Sequence, residues 1–280
     1  MAPKNRVSAV TNLLSAFGPI VELHSKLEWS REDGTLPILR VAVLRRQYEC
    51  LSVAVSLVES AQGYAAVGML RAACEEYLWI KYLARLSRVN AEQLVTLLLQ
   101  SETTDSLKAQ DDYVGRRVTK ELGLEDERAA SEAGIPLLKK QRKALGLKLR
   151  WEPRIIENGK LPSIAFIAKA VDETGLYQFL YHASSRYVHF SPVELLRRAW
   201  GRTGNVSVSS AHFSDYWGDF VLYWGVTLFI KTIPELVNLG LDISDESLKP
   251  IGDAIIEAAK SIGEHGAVPI ITAVELRWED

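Results

Sequence analysis

Cysteine is almost missing from this sequence: its 280 residues hold two, Cys50 and Cys74, each inside an apolar run. That scarcity excludes a disulfide framework and a cysteine-built zinc site, and it reads as two small buried side chains. Paired Glu-x-x-His units, which a di-iron bundle carries on facing helices, do not occur. His-Glu-x-x-His is missing as well, and so are Gly-x4-Gly-Lys-Ser/Thr and Gly-x-Gly-x-x-Gly. Zinc-protease chemistry and phosphate-cradling loops are thereby excluded, and neither a metal nor a cofactor is expected. An excess of one charge sign is lacking too. The formal net charge is −2, so nothing global selects nucleic acid or an anionic membrane, although a local patch is still able to bind either.

Long hydrophobic runs are short of what a bilayer needs. The longest, Phe220 to Ile230, has 11 residues between Asp219 and Lys231, whereas a spanning helix takes roughly 20. The first 17 residues carry Lys4 and Arg6 but only a broken apolar stretch and no small-residue cleavage pattern. The expectation is a cytoplasmic protein without a membrane partner.

What is present is helical period. Hydrophobic residues make up 48% and charged residues 24%, enough apolar surface for a sizeable core. A first amphipathic helix is expected over about 6–28. Pro37 suits a first helical turn, and Ile38 to Ala61 follows it. Tyr64 to Leu86 is apolar almost all round, the pattern of a central buried helix. Asn90 with Gln93 resembles a helix cap and its return partner. From Thr103 to Leu149 the chain is charged and thinly apolar, which places peripheral helices there. Residues 150–162, with Pro153, Gly159 and Pro162, read as a connecting loop.

Ser163 is placed to cap a short helix through Val171, closed by Gly175. Ser191-Pro192-Val193-Glu194 has the signature of a capped helix start, which then ends before Gly201 and a polar loop to Ser210. The aromatic stretch Phe213 to Ile230 and a last helix near 246–260 follow. Val268 to Trp278 alternates loosely, as a short C-terminal strand would. The expected fold is all-α, a multi-helix bundle with central buried helices, forming a single domain over 1–280.

Two segments place polar groups where a core has none. Arg71 and Glu75 are four apart, on one face of the Tyr64–Leu86 helix, and a charge there needs a partner. Tyr181, Ser185 and His189 fall at i, i+4 and i+8, which lines a phenol, a hydroxyl and an imidazole along one helical face. His182, Arg186 and His189 fit the spacing of a neighbouring face.

These residues also carry a resemblance. Arg71-Ala-Ala-Cys-Glu75, Ile164-Ala-Phe-Ile-Ala168, Gly175-Leu-Tyr177, Tyr181-x3-Ser185-x3-His189 and Ser191-Pro192 together resemble the bacterial helical family known as domain of unknown function 5677, over about residues 36–200. The resemblance implies an α-helical fold, a bacterial source and a signature on Arg71, Glu75, Tyr181, Ser185 and His189. It implies no activity.

Three functions stay open on this reading. The first is a metal-independent RNA-cleaving or RNA-binding effector, with His189, Arg71 and Glu75 as catalytic candidates and Tyr181, Ser185, Arg186 and His182 as binding candidates. Histidine is suited to proton transfer and arginine to a phosphate. Helical ribonucleases of the HEPN type place arginine and histidine on one helix at a longer spacing than Arg186 and His189, so Arg71 is the arginine to meet His189. Lys139, Lys140, Arg142, Lys143, Lys148, Arg150 and Arg154, with Trp151 among them, add a stretch of the kind that meets single-stranded nucleic acid, unless Asp111, Asp112 and Glu125 to Glu127 neutralise it. The second is a scaffold or self-association module in which the Tyr-Ser-His row is a hydrogen-bond network, with Tyr216, Trp217, Tyr223 and Trp224 as the association face. The third is a small-ligand pocket lined by the same row.

Overall fold

The protein is described by a computed structural model covering residues 3–202, 204–209, 211–243, 245–263 and 267–271. The helices, in chain order, are α1 (Pro3–His24), α2 (Leu36–Glu59), α3 (Gly63–Ala66), α4 (Met69–Ala84), α5 (Arg88–Val114), α6 (Arg116–Glu121) and α7 (Glu125–Lys148). They continue with α8 (Pro153–Asn158), α9 (Ile164–Ala170), α10 (Thr174–Leu176), α11 (His182–Val188), α12 (Pro192–Leu196), α13 (Ser214–Asn238) and α14 (Asp245–Gly263). A π-helical turn, Tyr177–Tyr181, joins α10 to α11. The fold is an all-α multi-helix bundle with one small sheet, the antiparallel hairpin of β1 (Ala199–Arg202) and β2 (Asn205–Val208). That hairpin occupies the stretch expected to be a polar loop. The strand expected over 268–278 falls mostly outside the described residues, and residues 267–271 are not strand.

The chain groups into two compact units where the sequence was read as one domain. One comprises Met1–Trp29, Pro37–Ala84 and Ile167–Asp280; the other comprises Ser30–Leu36 and Arg85–Phe166.

In the first unit, α13 packs against α4, α3 and α1, and α1 also packs against α14. Helix α13 is apolar and long enough to cross a membrane by length and composition, but half of its most apolar window is buried inside the unit. Trp217, Phe220, Leu222, Leu228, Phe229 and Leu236 fill the core, and Phe17 of α1 meets Phe229 edge-on at 4.9 Å. Each such side chain stabilises the fold by about 1.5–3 kcal/mol when fully buried. The backbones of α3 and α13 approach closely at Gly63, where an added Cβ would lie 2.7 Å from the Gly218 nitrogen, so glycine is needed there.

The expected Tyr64–Leu86 helix is two helices, α3 and α4, separated at Val67-Gly68. No residue of α4 is exposed: Leu70, Cys74, Tyr77, Leu78, Ile80, Tyr82 and Leu83 are buried, and Arg71 and Glu75 are half-buried among them. Cys50 and Cys74 are free thiols, and burial pushes the Cys74 thiol up to about 12, which leaves it unreactive.

In the second unit α5 packs against α7, with Leu94, Leu97, Leu138 and Leu145 buried. Ser87, rather than Asn90, caps α5, its Oγ accepting from the Asn90 N–H. The Glu92 carboxylate accepts hydrogen bonds from the Thr35 hydroxyl (2.6 Å) and the Leu36 N–H (3.1 Å), satisfying the open start of α2. The expected loop at 150–162 contains the short helix α8, which Pro153 starts and Gly159, in the left-handed region, ends. Further on, Ser163 does cap α9, accepting from Phe166 N–H. That helix stops at Ala170 and is closed at Asp172, in the left-handed region, rather than at Gly175.

Candidate functional site

Arg71 projects from α4 toward the π turn and the end of α11. Its Nη2 donates to the Tyr181 hydroxyl at 3.3 Å, and its Nη1 lies 3.2 Å from His189 Nε2. The guanidinium carbon sits 5.4 Å from the centre of the Tyr181 ring. A guanidinium only donates, so the contact requires an unprotonated Nε2 on His189 and places the ring proton on Nδ1. The hydrogen bond to Tyr181 is the largest influence holding Arg71 above its ordinary value, and it outweighs the opposing effect of burial.

The local backbone explains the convergence. The π turn widens the helix at Tyr177–Tyr181, and Tyr177 stacks on Tyr181 at 4.9 Å. Helix α11 then ends at Val188, and His189 is already extended (φ −109, ψ 160), its N–H closing the last turn on the Ser185 carbonyl. His189 is therefore not a helical member of the row. It is an exposed residue at the helix exit, and Phe190 beyond it is 86% exposed.

The other candidates separate. Glu75 lies near enough for its charge to act on Arg71 and Tyr177 but makes no ion pair with Arg71, so the expected pairing gives way to bonds with Tyr181 and His189. The half-buried Ser185 hydroxyl has no hydrogen bond among the described residues; its neighbour Ser184 is fully buried and donates to the Leu180 carbonyl at 2.6 Å. His182 is exposed, with only ring contacts, to Tyr177 and Tyr181, among the described residues. Arg186 is exposed without an ion pair among the described residues. No group of His, Cys, Asp and Glu side chains suited to a metal occurs among the described residues.

Two polar clusters, one buried around Glu194 and one half-buried around Glu173, went unrecognised in the sequence. Around Glu194, 2% exposed, Arg197 donates to the carboxylate and to the Tyr187 hydroxyl, both at 3.1 Å, and lies 4.4 Å from the centre of the Trp217 ring. Tyr64 donates to the Glu194 carbonyl at 2.6 Å. Burial pushes the Tyr187 phenol far up. Glu194 thus serves Arg197, and no side chain caps α12, so the expected capping box is not formed although Pro192 does open the helix. The second cluster centres on Glu173, whose Oε1 accepts from Tyr77 (2.5 Å), Lys81 (2.6 Å) and Lys231 (3.3 Å). Burial pulls that carboxyl up, but these donors outweigh it and hold Glu173 below its usual range. A lone acidic residue beside a helix end leaves no sequence signal for either role.

A family model described as a family of unknown function (DUF5677) matches residues 39–205. The chain belongs to this family. No curated protein and no solved structure matches it. The family span contains Arg71, Tyr181 and His189, and also Tyr64, Glu173, Glu194 and Arg197. It leaves out α13, so Trp217 and Lys231, which complete the two polar clusters, are supplied from beyond it.

Two further expectations are corrected. Trp151 is 3% exposed and packs on Gly146, so it offers no ring to a base. Among the aromatic residues of α13, Trp217 is core, while Tyr216 and Trp224 donate to the carbonyls of Pro269 and Val268. Trp217 is therefore withdrawn from the expected association face, while Tyr223 is half-buried beside Trp224. In the first unit a cleft of about 660 Å³ is lined by Thr11, Asn12 and Asp215, and in the second unit one of about 550 Å³ is lined by Arg88, Gln93 and Gln141; neither includes Arg71, Tyr181 or His189 in its lining.

Proposed function

We propose that Arg71, Tyr181 and His189 form a metal-independent acid–base site acting on the phosphodiester backbone of RNA. One observation carries this reading: a guanidinium held between a phenol and an exposed, proton-accepting imidazole. A phosphate arriving at Arg71 takes up the N–H now directed at His189 and leaves Nε2 free. His189 then removes the proton of a ribose 2′-hydroxyl. The 2′-oxygen bonds to phosphorus, the bond from phosphorus to the 5′-oxygen breaks, and water at this exposed site protonates the departing oxygen. The products are a 2′,3′-cyclic phosphate and a 5′-hydroxyl. Proton transfer of this kind is worth about 10²–10⁴ in rate. Tyr181 orients the guanidinium, and the Glu75 charge keeps it in place from a distance.

The test is cleavage of a defined RNA by purified protein with a chelator present, followed by analysis of the product ends. Cyclic phosphate ends that vanish in His189→Ala support the reading. Absence of cleavage on any RNA removes it.

A second reading has its own support. Phe190, Val193 (57% exposed) and Leu196 (65% exposed) form apolar surface next to His189, a feature that suits a protein partner or a second copy of the chain. Sedimentation of Phe190→Ser beside wild type separates the two: loss of association without loss of cleavage assigns this surface to assembly.

A further inference from the structure

Residues 139–160 carry eight basic side chains against two acidic ones, Glu152 and Glu157, in a chain of formal net charge −2. Whether neighbouring acids cancel this charge is answered by geometry within the second unit. Asp111 is committed to Arg128 and Thr119, and Glu132 also pairs with Arg128. Glu125 to Glu127 open α7, twelve or more residues before Lys139. At 1.5 Å per residue they lie about 18–21 Å away, more than two Debye lengths of ~8 Å at physiological ionic strength. Their screening of the far end is weak.

The basic end itself is unpaired. Lys139, Lys140, Lys148, Arg150 and Arg154 are exposed and Lys143 is half-buried. None of the six forms an ion pair among the described residues. Helix α8 folds back on α7, with Ile156 against Gly146 and Gly159 against Lys139, which keeps Arg154 beside that end of the helix. Lys139 to Lys148 extends over about 14 Å, the length of about four phosphates along one strand of a nucleic-acid helix. Because Trp151 is buried, the surface holds charge without a stacking ring. Such a surface recognises phosphates and is indifferent to base identity.

We infer that the C-terminal end of α7, with the turn at Arg150 and helix α8, binds the phosphate backbone of RNA without sequence preference. The choice of RNA among polyanions rests on the function proposed above. An anionic bilayer attracts the same charges, but firm attachment there adds buried apolar side chains. The exposed leucines in this stretch are the scattered Leu137 and Leu147.

The experiment measures binding of the full chain to a fluorescent uridine homopolymer across a salt series, beside vesicles containing phosphatidylserine. It compares wild type with the combined variant Lys140→Glu, Lys148→Glu, Arg154→Glu, whose thermal unfolding serves as the folding control. For single strands, log affinity falls with log salt by about 0.7 per phosphate neutralised, so the variant's slope should be shallower by about 2 and its low-salt binding weaker by about tenfold or more. Equal binding by variant and wild type overturns the inference, as does preference of the wild type for vesicles over RNA. Retained binding without any cleavage removes the catalytic reading alone; cleavage by wild type with binding insensitive to the triple change removes this inference alone.

Discussion

His189 and Glu194 are five residues apart, each beside an arginine and a tyrosine, yet the two places differ in nearly every physical respect. At Glu194 the carboxylate is 2% exposed, Arg197 joins it to Tyr187, and the rings of Tyr64 and Trp217 enclose the pair. At His189 the imidazole is exposed, and its one polar partner among the described residues is a guanidinium that also serves Tyr181. Charges withdrawn from water demand complete partnership, and removing one member strands the other. Groups at the surface have water as a substitute, so an arrangement kept there contributes little to stability. Burial is what assigns the first cluster to the fold, and exposure is what makes the second accessible to the chemistry proposed for it.

The largest effect should come from breaking the buried cluster. Glu194→Ala leaves Arg197 buried without its carboxylate and should cost about 3–5 kcal/mol, read by urea unfolding. A loss below about 1 kcal/mol would show that water reaches this pair and would erase the contrast. Next in size is Arg71→Lys. A lysine is a point donor that cannot serve two acceptors in a fixed fork, so RNA cleavage should fall by about a hundredfold while the unfolding midpoint stays put.

A pH measurement sharpens the comparison on the side of the fold. Glu173 is depressed in the folded protein, so its contribution is fully present above the ordinary carboxyl value of 4.5 and is lost as pH falls through its lower folded value. Glu173→Gln should therefore flatten the acid limb of the stability profile below about pH 4.5, and parallel profiles would count against the linkage. The smallest effect belongs to Ser185→Ala. Its hydroxyl has no hydrogen bond among the described residues, so stability should change by less than about 0.5 kcal/mol and cleavage not at all.

Helices were legible because their signal is periodic. The central burial of α13 and α4 follows from continuous apolar stretches, and Ser163 and Pro192 mark the starts of α9 and α12, whereas α8 lies in a stretch whose proline and glycine read as a loop. Tertiary partnership erased other local signals. Glu194 looked like a capping residue because only distance along the chain was visible, whereas Arg197 claims it in three dimensions. The hairpin Ala199–Val208 was hidden by polar residues on strands whose second member is exposed throughout.

The site was half legible. Spacing selected Tyr181 and His189, and the need of Arg71 for a partner was clear from its apolar neighbours. Ser185 was included through an unbroken helical period, but the π turn and the extended backbone at His189 interrupt that period. Convergence on Arg71 therefore arises from where α11 ends and not from a continuous face.

The most direct test of the central claim compares RNA cleavage and thermal unfolding of wild type and His189→Ala in chelator. The account predicts cleavage by wild type that ends in 2′,3′-cyclic phosphate, lost by at least about a hundredfold in the variant at an unchanged unfolding temperature. Cleavage undiminished in His189→Ala, or a variant that unfolds many degrees lower, would contradict it and return His189 to the structural cluster from which its exposure separates it.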